Sequence, residues 1–143
     1  MATPYAESGP PSGAPGGKTS LGLSSNVGAM LCYIANFLCC LGIILSIVFL
    51  ITEKENRFVK FHALQSLLIF AVYAALAIAV EIIGLVLRIA VGDILSGLIT
   101  WGLWCLVTLI VVIFWIIGGI KAYAGQWYKV PGVGNLAWGI VNK

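Results

Sequence analysis

Long apolar runs separated by short polar breaks set the pattern of this chain, and the runs have the length of bilayer-crossing helices. Three of them, Val27 to Ile51, Phe61 to Leu87 and Leu98 to Ile120, reach the roughly 20 residues a helix needs to span the hydrocarbon core. The first and third carry no charge, and only Glu81 interrupts the second. The pattern predicts helices over about 27–51, 58–88 and 98–120. It therefore predicts an all-α integral membrane protein with three transmembrane helices plus a short interfacial C-terminal helix. The first run starts late, exceeds a signal-peptide core and lacks a small-residue cleavage site, so it is expected to remain as the first span.

The breaks divide the chain further. Residues 1–25 hold four of the five prolines among Gly and Ser, a composition that cannot offset ordering entropy by burial. A disordered tail is expected there, followed by a membrane domain over 26–143. Ser24, Ser25 or Asn26 can cap the first helix. Thr52 to Arg57 forms a polar turn, and Ile89 to Thr100, with Gly92, Asp93, Ser96 and Gly97, is expected to be the second connection. The segment 121–143 is too broken to span and is expected at the interface, with Asn135 capping a short terminal helix.

Composition sharpens the class. Hydrophobic residues make up 61% of the chain and charged ones 9%, against roughly a quarter charged in soluble domains. Mean hydropathy is +1.06. The net charge of +3 is small and sits near helix ends, which excludes a nucleic-acid surface. The expected partners are the lipid bilayer and, beyond it, the chain itself or a larger membrane protein complex. Basic residues flank the first connection (Lys54, Arg57, Lys60) and the C-terminal segment (Lys121, Lys129, Lys143), whereas Lys18 and Arg88 stand alone. With three spans, the positive-inside rule places the first connection and C-terminus in the cytoplasm and the N-terminus outside a cell (inner) membrane. Trp101 and Trp104 then mark the outer boundary, and Trp115, Tyr123, Trp127 and Tyr128 approach the inner one.

Polar chemistry is sparse. Phe58, His62 and Gln65 share one helical face, and His62 is the chain's one histidine. A hydrogen-bonding tie to the C-terminal segment is its expected role, with proton handling or ligation of a pigment magnesium as alternatives; no cofactor is implied. Glu81 is an intramembrane carboxylate and hence a functional candidate by default, although Arg88, two turns on, offers an interfacial partner. Asn36 is the other strongly polar group in the runs, expected in the outer half and able to bond across helices. Ala71, Ala75 and Ala79, and Gly118 with Ala122, are small-residue pairs that suit helix packing or an oligomer. Cys32, Cys39, Cys40 and Cys105 lie in apolar runs and lack metal-ligand spacing, so no metal is expected. No nucleophile–base constellation is present, and the chain is expected not to be an enzyme.

The junction Asn56-Arg57-Phe58-Val59-Lys60-Phe61-His62-Ala63-Leu64-Gln65-Ser66, with the later Ala122-Tyr123-Ala124-Gly125-Gln126-Trp127-Tyr128-Lys129-Val130-Pro131, carries a resemblance. Over roughly Leu31 to Leu136 the chain resembles a Tic-like family of small multi-spanning prokaryotic membrane proteins, grouped with the Tic import-channel subunit of the chloroplast inner envelope. The resemblance implies that Phe58, His62, Gln65, Gly125, Tyr128 and Pro131 form one structural unit at the cytoplasmic face. The chloroplast member of that family is implicated in protein import, while the sparse polar inventory and packing-type small residues motivate the functional expectation here. The expected function is an assembly, scaffold or translocation-associated subunit, and the alternative is a small channel or proton-linked transporter using Glu81 and His62.

Overall fold

The computed structural model describes residues 15–38 and 41–143. Among the described residues five α-helices follow one another: α1 (Ser25–Ile34), α2 (Leu41–Thr52), α3 (Arg57–Val91), α4 (Asp93–Tyr123) and α5 (Gly134–Val141). A 3-10 turn, Ala35–Leu38, follows α1. The described residues form no strand, only an isolated bridge between Lys18 and Ser24.

The first apolar run is not one helix. It breaks after Ile34 and returns as α2, so the expected span over 27–51 becomes an antiparallel pair of short helices. Successive contacts fix the register. Gly28 lies against Phe49, with 3.3 Å from a Cβ built there to Phe49 Cζ. Cys32 faces Ser46, and a Cβ on Gly42 would fall on Asn36. The break has a local cause. The Cys32 carbonyl accepts from Asn36 Nδ2 (3.0 Å) and from Ser66 Oγ of α3 (2.6 Å), and side chains inserted beside the helical ladder are a known cause of helix breaks. Cys39 and Cys40 lie outside the described residues.

Two helices, α3 and α4, are long and apolar enough to cross a membrane. Among the described residues these are the two helices of that length, where three were expected. The expected second connection over 89–100 is also absent: α3 runs to Val91, α4 starts at Asp93, and Gly92 alone joins them. Its φ of 82° and ψ of 172° lie in a region essentially reserved for glycine, which lets the chain reverse in one residue. Arg88 Nε meets Asp93 Oδ1 across this tip at 2.5 Å, both well exposed.

Both ends of the α1–α2 pair lie at the end of the molecule where α3 begins, here called the base. Ser20 N–H bonds a carboxylate oxygen of Glu53, and Asn26 Nδ2 bonds the Tyr123 carbonyl at 3.0 Å. The N-terminal segment, the first connection and the C-terminal segment therefore share one end, which overturns the expectation of an N-terminus on the opposite side from the other two. Residues 1–14 lie outside the described residues. The rest of the expected tail is folded: Thr19 is buried, its N–H bonds the Leu23 carbonyl (2.7 Å), and Ser25 N–H bonds the Gly17 carbonyl (2.7 Å). Ser24 caps α1 by accepting from Val27 N–H. Asn135 does not cap α5, whose N-cap position is Val133 with no side-chain bond.

Burial is divided sharply along the long helices. In α3 it is dense from Phe58 to Ile69, and beyond that only Val80 is buried. In α4 the trend mirrors this: of the residues before Val111 only Ser96 is buried, and Val111, Trp115, Gly118, Gly119 and Ala122 follow. The core thus sits in the base half, where α1 and α2 pack on the long pair.

Candidate functional site

The base half holds a connected group of buried polar side chains. Asn56 caps α3 by accepting from Val59 N–H at 3.2 Å, which sets the helix phase so that Phe58, His62, Gln65 and Ser66 turn inward. All four are essentially inaccessible. At the same end of the molecule α4 ends at Tyr123, with Ala124 as its C-cap and Gly125 just beyond. Gln126 N–H bonds the Lys121 carbonyl and Gly125 N–H the Ala122 carbonyl, the paired bonds of a Schellman cap, with Gly125 at φ 71°. A Cβ on Gly125 would also lie 2.9 Å from Pro15 Cβ. The cap swings residues 126–130 across the start of α3.

His62 and Gln65 receive this strand of backbone. His62 Nε2 bonds the Gln126 carbonyl at 3.1 Å, so Nε2 carries the proton and Nδ1 accepts from Tyr33 O–H at 3.0 Å. Gln65 Nε2 donates to Tyr33 Oη (2.8 Å) and to the Tyr128 carbonyl (3.0 Å), while its Oε1 accepts from Val130 N–H (3.1 Å). Asn36 Nδ2 adds a bond to Ser66 Oγ at 2.9 Å. Every donor in the His62–Gln65–Tyr33 trio has an acceptor in the neutral state. Aromatic rings enclose the group: Phe58 and Phe61 meet His62 edge-on at centroid distances of 4.7 and 5.0 Å. Both also touch Trp127, and Phe61 touches Trp138 of α5.

The arrangement is a clasp with no open coordination position. Both imidazole nitrogens of His62 are engaged inside the core, so neither is available to a pigment magnesium. Tyr128 contributes its carbonyl, and Pro131, with Gly132 at φ 86°, turns the chain toward α5. Tyr33 and Ser66 belong to the clasp although the sequence did not single them out. For Tyr33 a signal was present, since it lies three residues before Asn36 on one face of an otherwise apolar run.

The remaining candidates lie elsewhere. Glu81 accepts from Trp104 Nε1 at 2.9 Å. It does not pair with Arg88, which meets Asp93 instead. His62 and Glu81 are 19 positions apart on one helix, about 28 Å by helical rise. Asn36 belongs to the base half through Ser66, not to a far half as expected. Ala71, Ala75 and Ala79 face outward, away from the α3–α4 contact. Gly118 and Ala122 are buried, and a Cβ on Gly118 would lie 2.7 Å from Tyr33 Cε1. Cys32 is buried and Cys105 exposed. No group of three His, Cys, Asp or Glu that could hold a metal occurs among the described residues. A cleft of about 760 Å³ opens at the base between Gly17–Ser20 and Thr52–Arg57; it mixes Lys18, Lys54 and Arg57 with Glu53 and Glu55 and so selects neither sign of ligand charge.

Comparison with known proteins corrects the family. Residues 24–137 match the model of the magnetosome magnetite crystal formation protein family. The UPF0132 membrane protein MJ1443 of Methanocaldococcus jannaschii is 40% identical over 121 residues, covering 85% of this chain and 92% of that protein. A second membrane protein of that organism, MJ1527, is 35% identical, with 82% of this chain and 71% of the relative covered. One from Archaeoglobus fulgidus is 36% identical, with 80% and 93% covered. No solved structure matches. None of these findings links the chain to the Tic-like family, and that resemblance is set aside. The match spans the clasp and both long helices, and the chain, a membrane protein, belongs to the magnetosome magnetite crystal formation protein family.

Proposed function

We propose that this membrane protein is non-enzymatic and serves as an assembly scaffold or subunit of a larger membrane complex. The observation that carries the reading is the saturation of the clasp. His62, Gln65, Tyr33, Asn36 and Ser66 use their polar atoms to hold α1, α3 and the 126–130 backbone together. Little polar chemistry is left for a reaction, while apolar surface is abundant. The family description attaches magnetite crystal formation to its members. No mineral chemistry is carried from it to this chain; the reading rests on the clasp and the apolar surface.

The base is assigned to the cytoplasm in this reading. Lys18, Lys54, Arg57, Lys60, Lys121 and Lys129 sit at or beside it, and Arg88 at the tip is matched by Asp93. That asymmetry follows the positive-inside rule. α3 and α4 are the two crossings.

Purification in mild detergent from the native membrane tests the role. A stoichiometric partner, retained by wild type and shed when base surface residues are altered, is the expected outcome. A strictly monomeric protein with no partner would remove the scaffold reading. The transporter alternative finds no support in the geometry, since His62 is fully engaged and Glu81 lies near the other end of α3.

A further inference from the structure

The two halves of this molecule differ in cross-section, and the boundary between them falls on the base side of the bilayer midplane. Four helices run side by side in the base half, where Asn36 reaches Ser66 and Phe37 packs on Trp115 (ring centroids 5.8 Å apart). Among the described residues only the α3–α4 pair remains from Ala71 to Ile110, and it is largely apolar outside: Val72, Ile78, Ile82, Ile89, Leu98 and Leu106 are each more than two-fifths exposed. Charges set the depth scale. Lys60 in the first turn of α3 and Arg88 at the tip are separated by about 42 Å of helix, enough for a hydrocarbon core of about 30 Å with snorkelling ends. Measured from Lys60, the level of Ser66 to Ile69 is about 9–14 Å along that axis. The α1–α2 pair therefore turns back inside the base-side leaflet, about a quarter to a third of the way along that axis. It is uncharged throughout, and Ile34, Phe37, Leu38, Leu41, Ile44 and Ile47 on its outer side are exposed, as lipid-facing residues must be.

We propose that α1 and α2 form an insertion confined to the base-side leaflet that makes the protein a wedge, with preference for membranes that are convex on the base side. The occupant of the exposed apolar surface in both halves is lipid. With helices about 10 Å across, two additional helices occupy on the order of 160 Å² in one leaflet alone. α5 adds to the same side, held against Phe61 through Trp138, over which Lys129 Nζ stacks at 4.4 Å. A bilayer accommodates this imbalance with least strain where the base-side leaflet is stretched. Insertion confined to one side is also what makes interfacial helices sensitive to curvature. The inference uses only the membrane setting and the fold, so it stands or falls separately from the scaffold role.

The test is sorting of the full-length, fluorescently labelled protein between a giant phosphatidylcholine vesicle and a narrow membrane tether pulled from it. Orientation is read from quenching of a dye at Glu55→Cys by an external reagent. Protein with its base outward should be enriched in the tether on the order of twofold and more as the tether narrows, and protein with its base inward should be depleted. Equal density in tether and vesicle for both orientations would overturn the proposal. So would efficient disulfide crosslinking between copies at Ala75→Cys, because a second chain packed on the far half would fill the missing cross-section. The reversal of sign with orientation separates a wedge from general attraction to curved lipid, and it needs no destabilised variant.

Discussion

Replacing Gln65 by Leu removes the densest knot of the clasp while nearly conserving volume. Gln65 makes three bonds: to Tyr33 Oη at 2.8 Å, to the Tyr128 carbonyl at 3.0 Å and from Val130 N–H at 3.1 Å. Val130 is buried, so its N–H would lose its side-chain partner with no water at hand, and such an orphaned group costs about 1–3 kcal/mol. Tyr128 is half-buried, and its carbonyl can regain part of its bonding from solvent. Tyr33 keeps its bond to His62. The sum is about 2–5 kcal/mol, partly offset by the greater apolarity of Leu. For a chain of this size that predicts a fall in Tm on the order of 10 °C, measured in mild detergent by tryptophan fluorescence. Hydrogen exchange should report the same event locally, with Val130 N–H losing protection before the middle of α4 does. A Gln65→Leu protein within about 2 °C of wild type, with Val130 still protected, would refute the account of the clasp as the principal tie between α3 and the C-terminal segment.

Other outcomes follow from single contacts. Gly118→Ala places a Cβ 2.7 Å from Tyr33 Cε1 and should destabilise by about 1–3 kcal/mol, whereas Gly102→Ala, inside α4 with open space around it, should hold or slightly raise Tm; equal effects would contradict the α1–α4 packing. Gly92→Ala forces a side chain into φ 82°, ψ 172° and should cost about 1–3 kcal/mol, read as a lowered Tm and increased exchange at the tip. Breaking the tip pair by Arg88→Ala should change Tm little, since exposed ion pairs contribute about 0–1 kcal/mol; a large drop would mean the tip is packed against something. In a cysteine-free background, Ser20→Cys and Glu55→Cys should label from the same side of sealed vesicles and Ile94→Cys from the other. Labelling of Ser20 and Glu55 positions from opposite sides would restore three crossings.

Much of the clasp was legible because it rests on local signals. The face shared by Phe58, His62 and Gln65 follows from helical periodicity, and Gly125 beyond an apolar run is a helix-stop signal. The choice of partners was not local. Which carbonyls His62 and Gln65 meet depends on how the Gly125 cap redirects the chain, and Tyr33 enters only because α1 packs parallel to α3. The small-residue stripes show the same limit. Gly118 and Ala122 face α1 and Ala71, Ala75 and Ala79 face outward, a difference that spacing alone does not encode.

The apolar runs and scarce charges determined by themselves that this is an all-helical membrane protein, since a backbone in lipid must bond within its own helix. What they could not determine was how often the chain crosses. A run of 25 residues from Val27 to Ile51 satisfies the length criterion equally well as one straight helix or as two short ones. The decision rests on Asn36 and Ser66 competing for the Cys32 carbonyl and on Gly28 and Gly42 allowing close approach, contacts that exist only once the helices have packed. The same tertiary decision brought the N-terminal segment back to the base, closed the second connection to a single glycine and gave the two halves of the molecule different widths.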